Sequence, residues 1–173
     1  YDDGAYGKLL LEEDIHTTNQ KAAGLSTRDQ AKTFIYGFLY GAGNEKIGQI
    51  VGKGKVEGSR LKKEFLSKIP ALKSLRDAVQ KKAEQGFITG LDGRKVPVRS
   101  SHAALNTLLQ SAGAIICKRW IVEMHSLLDK EFKYGEDYKQ VAFVHDEVQL
   151  TVKREHAKRI GDLAVKAIGI AGE

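Results

Sequence analysis

Only two prolines, Pro70 and Pro97, fall in 173 residues. Proline is the residue a helix interior tolerates least, so nearly the whole chain is free to run as helix. Strands must then be signalled by local pattern. Helical periodicity predicts a short helix from Asp14 to Ala23, broken at Gly24. Ser26 with Asp29 three residues on resembles a capping box. It opens a helix through Thr27 and Arg28 that runs to Leu39 or Tyr40 and stops at Gly41-Ala42-Gly43. Lys53, Gly54, Lys55 and Gly58 read as a mobile turn before a helix over 59–68. Pro70 then restarts a helix over 71–85. Short strands are expected at Phe87–Thr89 and Lys95–Val98 around the turn signal Asp92-Gly93. Ser100 or Ser101 can cap a long apolar helix carrying Leu105, Leu108, Leu109, Ala112, Ile115, Ile116 and Trp120. Two β-branched runs, 141–144 and 148–152, read as a buried hairpin whose turn holds His145, Asp146 and Glu147, and an amphipathic helix over 155–168 follows. A helical first half followed by sheet with packed helices makes the fold class α+β, with a helical lobe and part of an antiparallel-sheet lobe.

Hydrophobic residues at 42% and charged residues at 29% suit a folded chain rather than a disordered one. No apolar run reaches the roughly 18 residues of a membrane helix, so no membrane partner is expected. The single Cys117 excludes an internal disulfide framework and a cysteine-built zinc site. It sits among apolar helix positions as a packing residue, in a chain suited to a reducing cytoplasm. The net charge of +6 is unevenly spread. Residues 1–20 carry one base and five acids, residues 21–99 seventeen bases and seven acids, and residues 100–173 ten of each. The basic middle suits a polyanion such as nucleic acid held through its phosphates, and equally a solvated lysine-rich helical surface.

Three constellations carry chemistry. Arg28, Lys32, Tyr36 and Tyr40 recur every four residues, a step that drifts only about 40° around a helix, so all four share one face. An arginine fork, a lysine point charge and a helix N-terminus suit a triphosphate, and rings further along suit a sugar and base. The same spacing also fits an ordinary helix surface with cations lying over half-buried tyrosines. Adjacent Asp146 and Glu147 at a tight strand connection offer hard oxygen ligands for Mg²⁺, which keeps waters and phosphate oxygens as further ligands. A polar turn is the plainer reading. Arg99, His102, Asn106 and Gln110 form a polar stripe, the last three again four residues apart on the long helix. Amide donors there could meet the N3 and O2 acceptors that every base pair shows in the minor groove, or be satisfied by neighbouring backbone. Gly52-Lys53-Gly54-Lys55 lacks the Walker spacing and reads as a basic flexible tip.

Taken together these residues resemble family A DNA polymerases. Arg28-x-x-x-Lys32-x-x-x-Tyr36-Gly37 is similar to the family's motif B on the fingers helix, and Val144-His145-Asp146-Glu147 to motif C of the palm. Asp14-Ile15-His16-Thr17, residues 32–43, residues 90–95 and residues 102–113 resemble the replicative enzymes of T-seven-type phages. The resemblance implies a palm edge at 1–16, fingers at 17–89 and palm at 90–173. It implies that Arg28, Lys32 and His16 bind the triphosphate, that Tyr36 stacks by the sugar, and that Tyr40 borders the templating base. A tyrosine at position 36 implies tolerance of a missing 3′-hydroxyl. Asp146 would hold catalytic Mg²⁺, with Glu147 supporting metal and primer end, and Lys32 would stand with them among the catalytic residues. His145 would meet the primer, while Arg94, His102, Asn106 and Gln110 contact DNA. Primer–template DNA and deoxynucleoside triphosphates are the implied partners, and a phage-infected bacterial cytoplasm the implied setting.

Motif A, an aspartate with a ribonucleotide-excluding glutamate, is expected before Tyr1. No aspartate in residues 1–20 has its context. The thumb, the 3′–5′ exonuclease domain and the family's C-terminal strand are likewise expected outside these residues, and the region between Gln85 and Gly90 reads as shorter than in the phage enzymes it resembles. The chain thus reads as fingers plus partial palm, inactive alone, from a fragment, an incomplete reading frame or a split gene whose other chain supplies motif A. Two further readings stay open: a single-subunit RNA polymerase, and a non-catalytic nucleic-acid-binding remnant. Glu147 after the His-Asp pair and the stripe ending in Gln110 favour the DNA enzyme.

Overall fold

The computed structural model describes residues 3–173, apart from the side chains of Tyr6, Leu9 and Leu10. Tyr1 and Asp2 of the expected 1–16 edge lie outside the described residues. The elements run α1 (Ala5–Glu12), α2 (Ile15–Ala23), α3 (Arg28–Leu39), α4 (Asn44–Gln49), α5 (Lys55–Lys68), α6 (Pro70–Ala83), β1 (Phe87–Thr89), β2 (Lys95–Pro97), α7 (Ala104–Leu128), β3 (Tyr138–Val144), β4 (Glu147–Val152) and α8 (Ala157–Gly172). The class is α+β, as the sequence implies. Among the described residues no helix is long and apolar enough to cross a membrane.

Two compact units emerge, one of residues up to Thr89 with Lys95–Leu108, the other of Gly90–Arg94 with Leu109–Glu173. In the first, α3 buries Ala31, Phe34, Ile35 and Phe38, the i, i+3, i+4, i+7 pattern of one helix face. Phe65 of α5 meets Phe34 and Phe38 edge-on, with ring centroids 5.2 and 5.3 Å away. Ile47 and Leu61 complete this fully buried centre. Aromatic pairs in this geometry stabilise beyond their buried area.

The structure moves several expected boundaries. Thr27, not Ser26, caps α3: its hydroxyl accepts the Gln30 N–H at 3.2 Å, and the Gln30 side chain accepts the Ser26 N–H. This is a variant of the capping box, since the Gln30 side chain returns to the N–H of the residue before the cap and not to that of Thr27 itself. The supposed mobile turn at 53–58 is mostly helix, since α5 starts at Lys55. Gly58 lies inside it, where a Cβ would overlap the Asn44 carbonyl oxygen. Its glycine is therefore a point of close helix contact, which a sequence pattern reads as a break. Helices α1 and α4 carry no expectation from the sequence.

Beside this core, Ala83, Ile88 and Ala104 form a smaller cluster with Val79, Val96, Val98 and Leu108. Lys82, near the end of α6, and Lys95 of β2 stand 5.2 and 4.8 Å from the centre of the Phe87 ring of β1, cations drawn to the electron-rich faces.

In the second unit β3 and β4 pair antiparallel from Tyr138↔Val152 to Val144↔Glu147, with a bulge between Gln140 and Ala142. Val148, Leu150 and Val152 pack with Met124, Leu128, Ile160, Leu163 and Ala167 of α7 and α8. Trp120 Nε1 donates to the Ala164 carbonyl at 2.8 Å. Tyr138 is buried, its hydroxyl donating to Asp129 at 2.6 Å and lying 3.0 Å from His125 Nδ1. Desolvation, then the Asp129 carboxylate, pushes the Tyr138 phenol above its usual range. The expectation of a buried hairpin is corrected. Val141 and Val144 are each 54% exposed, because only one face of the ribbon is covered among the described residues.

Candidate functional site

The first unit brings together the expected α3 residues. Arg28 opens the helix and Lys32, Tyr36 and Tyr40 follow on its exposed side, opposite the phenylalanines. Lys32, Thr33, Tyr36, Gly37, Tyr40, Ala42 and Lys46 line a groove of about 600 Å³. Lys46, on α4, is a cation the spacing argument missed, because it enters through a separate helix. The chain can turn from α3 to α4 because Gly41 adopts φ +76, a conformation a side chain disfavours. There Ala42 N–H bonds back to the Gly37 carbonyl and Gly41 N–H to that of Phe38, a Schellman end to the helix.

Asp14 is the second residue the spacing did not find. It caps α2 and pairs with Arg28, receiving Nε at 2.7 Å and Nη2 at 3.1 Å. The guanidinium, ahead of Thr17 and the His16 amide, holds the Asp14 carboxyl far below the usual carboxylate range, and Asp14 raises Arg28 in turn. His16, the first turn of α2, places its ring 6.4 Å from that of Tyr36. Its Nδ1 is buried with no hydrogen-bond partner among the described residues.

His102 stands apart from this groove. It belongs to a 3₁₀ turn, Ser101–Ala103, ahead of α7. That corrects the reading of an unbroken helical stripe, and Ser100 makes no side-chain cap. His102 lines a different cavity of about 720 Å³ with Asn44, Lys55, Lys62, Arg76 and Gln80 among others. There Lys62 donates to the Ala42 carbonyl, and burial together with the charge of Arg76 lowers its pKa. Asn106, half-buried, belongs to the first unit, and exposed Gln110 to the second.

The second unit holds the carboxylates. Strand pairing of Val144 with Glu147 leaves a two-residue turn, His145-Asp146. His145 takes φ +57, unusual for a residue other than glycine though less so for histidine. Both turn residues are exposed, and Glu147 accepts from Gln149 Nε2 at 2.7 Å. Arg94 at the β1–β2 tip is paired with Asp92, its Nε 2.7 Å from Oδ2. Among the described residues no three His, Cys, Asp or Glu side chains gather into a metal site.

Residues 9–171 match the model of DNA polymerase family A. The chain belongs to that family. This family A chain is 50% identical over 192 residues to the DNA-directed DNA polymerase of Enterobacteria phage T3, covering 100% of the chain and 27% of that protein. With the DNA-directed DNA polymerase of Escherichia phage T7 the identity is 52% over 178 residues, covering 92% and 25%. The chain thus spans about a quarter of the length of these relatives. Among solved structures it superposes on the polymerase domain of Pol1 from M. smegmatis, in complex with DNA primer-template and dNTP. The TM-score is 0.78 at 19% identity, over 93% of this chain and 32% of that one. At that identity the likeness concerns the fold.

Proposed function

We propose that this family A chain forms the fingers and part of the palm of a template-directed DNA polymerase that extends a primer 3′ end with deoxynucleotides. The observation that carries the reading is the α3 groove, where Lys32, Tyr36 and Tyr40 line one face next to Arg28 and His16. Residues 17–89 form the fingers and 90–173 the palm, with 1–16 at its edge. Arg28, Lys32 and His16 hold the triphosphate, Tyr36 meets the sugar and Tyr40 the templating position. Arg94, His102, Asn106, Gln110 and His145 contact primer–template DNA.

Asp146 and Glu147, adjacent hard oxygen donors at an exposed turn, fit a Mg²⁺ ion that keeps most of its waters. They amount to part of a metal site, so the second aspartate of two-metal chemistry is proposed to come from outside these residues. Bound there, the metal would supply neutralisation of phosphate charge. Asp146 would be its ligand, Glu147 would steady Asp146 and the primer end, and Lys32 would offset phosphate charge in an in-line displacement. The test exchanges this chain for the matching segment of the phage T7 relative. Template-directed extension by the chimera is expected; a chimera that folds and binds primer–template DNA yet extends nothing refutes the reading.

A further inference from the structure

We propose that Asp14 is a positioning residue for the incoming triphosphate, holding one edge of the Arg28 guanidinium so that the opposite edge faces the phosphates. The inference rests on the nucleotide reading of α3 above. Its geometry is specific. Oδ2 of Asp14 receives Arg28 Nε–H at 2.7 Å and the Thr17 hydroxyl at 2.8 Å. Oδ1 receives Arg28 Nη2–H at 3.1 Å and the His16 amide at 3.2 Å. Four donors on two oxygens nearly exhaust what a carboxylate can accept. Because two of them belong to the first turn of α2, the carboxylate is fixed to that helix and cannot swing with the arginine.

A guanidinium has five N–H groups in a rigid fork. Asp14 takes Nε–H and one Nη2–H, which leaves the Nη1 pair and the other Nη2 proton on the far edge. A free arginine would lose rotamer freedom on meeting a phosphate; this one has lost it already. The same carboxylate fixes the backbone of His16, whose ring lies 6.4 Å from Tyr36. One aspartate thereby joins the N-termini of α2 and α3 and aligns two of the proposed phosphate-binding side chains.

The pair is half-exposed, with side-chain exposures of 52% for Arg28 and 44% for Asp14. An ion pair so placed adds little to stability, so orientation is the larger thing it supplies. A competing role is a placeholder that masks Arg28 until nucleotide displaces it. The two roles predict opposite signs: loss of a positioning residue weakens triphosphate binding, and loss of a placeholder strengthens it.

Asp14→Asn is the discriminating variant, because asparagine still caps a helix N-terminus but gives up the charge-assisted pair with arginine. Fluorescent deoxynucleoside triphosphate and monophosphate are titrated with Mg²⁺ into the 173-residue chain, and Tm is recorded. The expected result is triphosphate binding weakened about fivefold or more, monophosphate binding changed by less than about twofold, and an unchanged Tm. Adding Asp14→Asn to Arg28→Ala should bring no further loss, since asparagine can still receive the His16 amide and what it gives up is the pair with the arginine. Unchanged or tighter triphosphate binding, an equal loss for the monophosphate, or an additive loss in the double variant overturns the proposal. Failure of the unaltered chain to bind triphosphate overturns the nucleotide reading of α3 itself, and this inference with it.

Discussion

On α3, two cations and two tyrosines stand on a helix whose other side is sealed by Phe34, Phe38 and Phe65, and whose two ends are tied by Thr27 and the Gly41 turn. At the β3–β4 turn, Asp146 stands at the tip of a two-stranded ribbon with Val144 beside it 54% exposed. Both regions carry the residues expected of them, yet α3 is backed by a buried aromatic core along its inner side, whereas the hairpin is covered on one face and its turn stands exposed among the described residues. Binding a flexible triphosphate needs several groups already aligned, so the scaffold must come with the cations. A metal ligand at a tight turn needs little beyond the turn, because its remaining ligands come from water, substrate and other carboxylates. On the proposed function, the difference teaches that a triphosphate site and a metal-ligand turn demand unequal amounts of surrounding structure.

The sharpest way to break that comparison is Phe65→Ala. Removing a fully buried ring that two others meet edge-on should cost about 3–5 kcal/mol of stability and abolish nucleotide binding at the groove, read by denaturant melts and titration. A loss under about 1 kcal/mol would mean that the groove does not depend on this core. Asp146→Asn should behave in the opposite way. Tm stays nearly constant because the side chain is exposed, while primer extension by the phage chimera falls at least about a hundredfold, roughly 2.7 kcal/mol of barrier. DNA affinity should stay within about threefold, under 0.7 kcal/mol. Extension surviving within about tenfold contradicts the metal role.

The smallest effects separate residues on α3 itself. Lys32→Ala should weaken all four deoxynucleoside triphosphates by a similar factor, about tenfold to a hundredfold, because a hydrogen bond to a charged group contributes about 1.5–3 kcal/mol. Tyr36→Phe keeps the ring, so extension in the chimera is largely retained. Discrimination against dideoxynucleotides should rise by about tenfold or more, about 1.4 kcal/mol, in a competition between the two nucleotide types. An unchanged ratio would mean that Tyr36 does not face the sugar.

Residues four apart on a helix share a face whatever surrounds them, so Arg28, Lys32, Tyr36 and Tyr40 were legible together. The hairpin was legible because two β-branched runs separated by three polar residues have few ways to pair. These features are local, and a linear pattern contains local geometry. Gly58 was read as a break because glycine marks both turns and close helix contacts, and only the Asn44 carbonyl against it says which. The cap fell on Thr27 rather than Ser26, one residue from the pattern's choice: both hydroxyls suit the role, and in the fold it is Thr27 that receives the Gln30 N–H.

The sequence by itself determined the class of the fold, the shared face of Arg28, Lys32, Tyr36 and Tyr40 and the residues that resemble the family's motifs, all of which follow from periodicities of 3.6 and 2 and from short motifs. Tertiary structure alone decided that Asp14 reaches Arg28 across fourteen residues of chain and that Lys46 enters the α3 groove from another helix. It also decided that one face of the hairpin lies open among the described residues. Those facts depend on how elements pack in three dimensions, and no spacing within a single element encodes the distance between two of them.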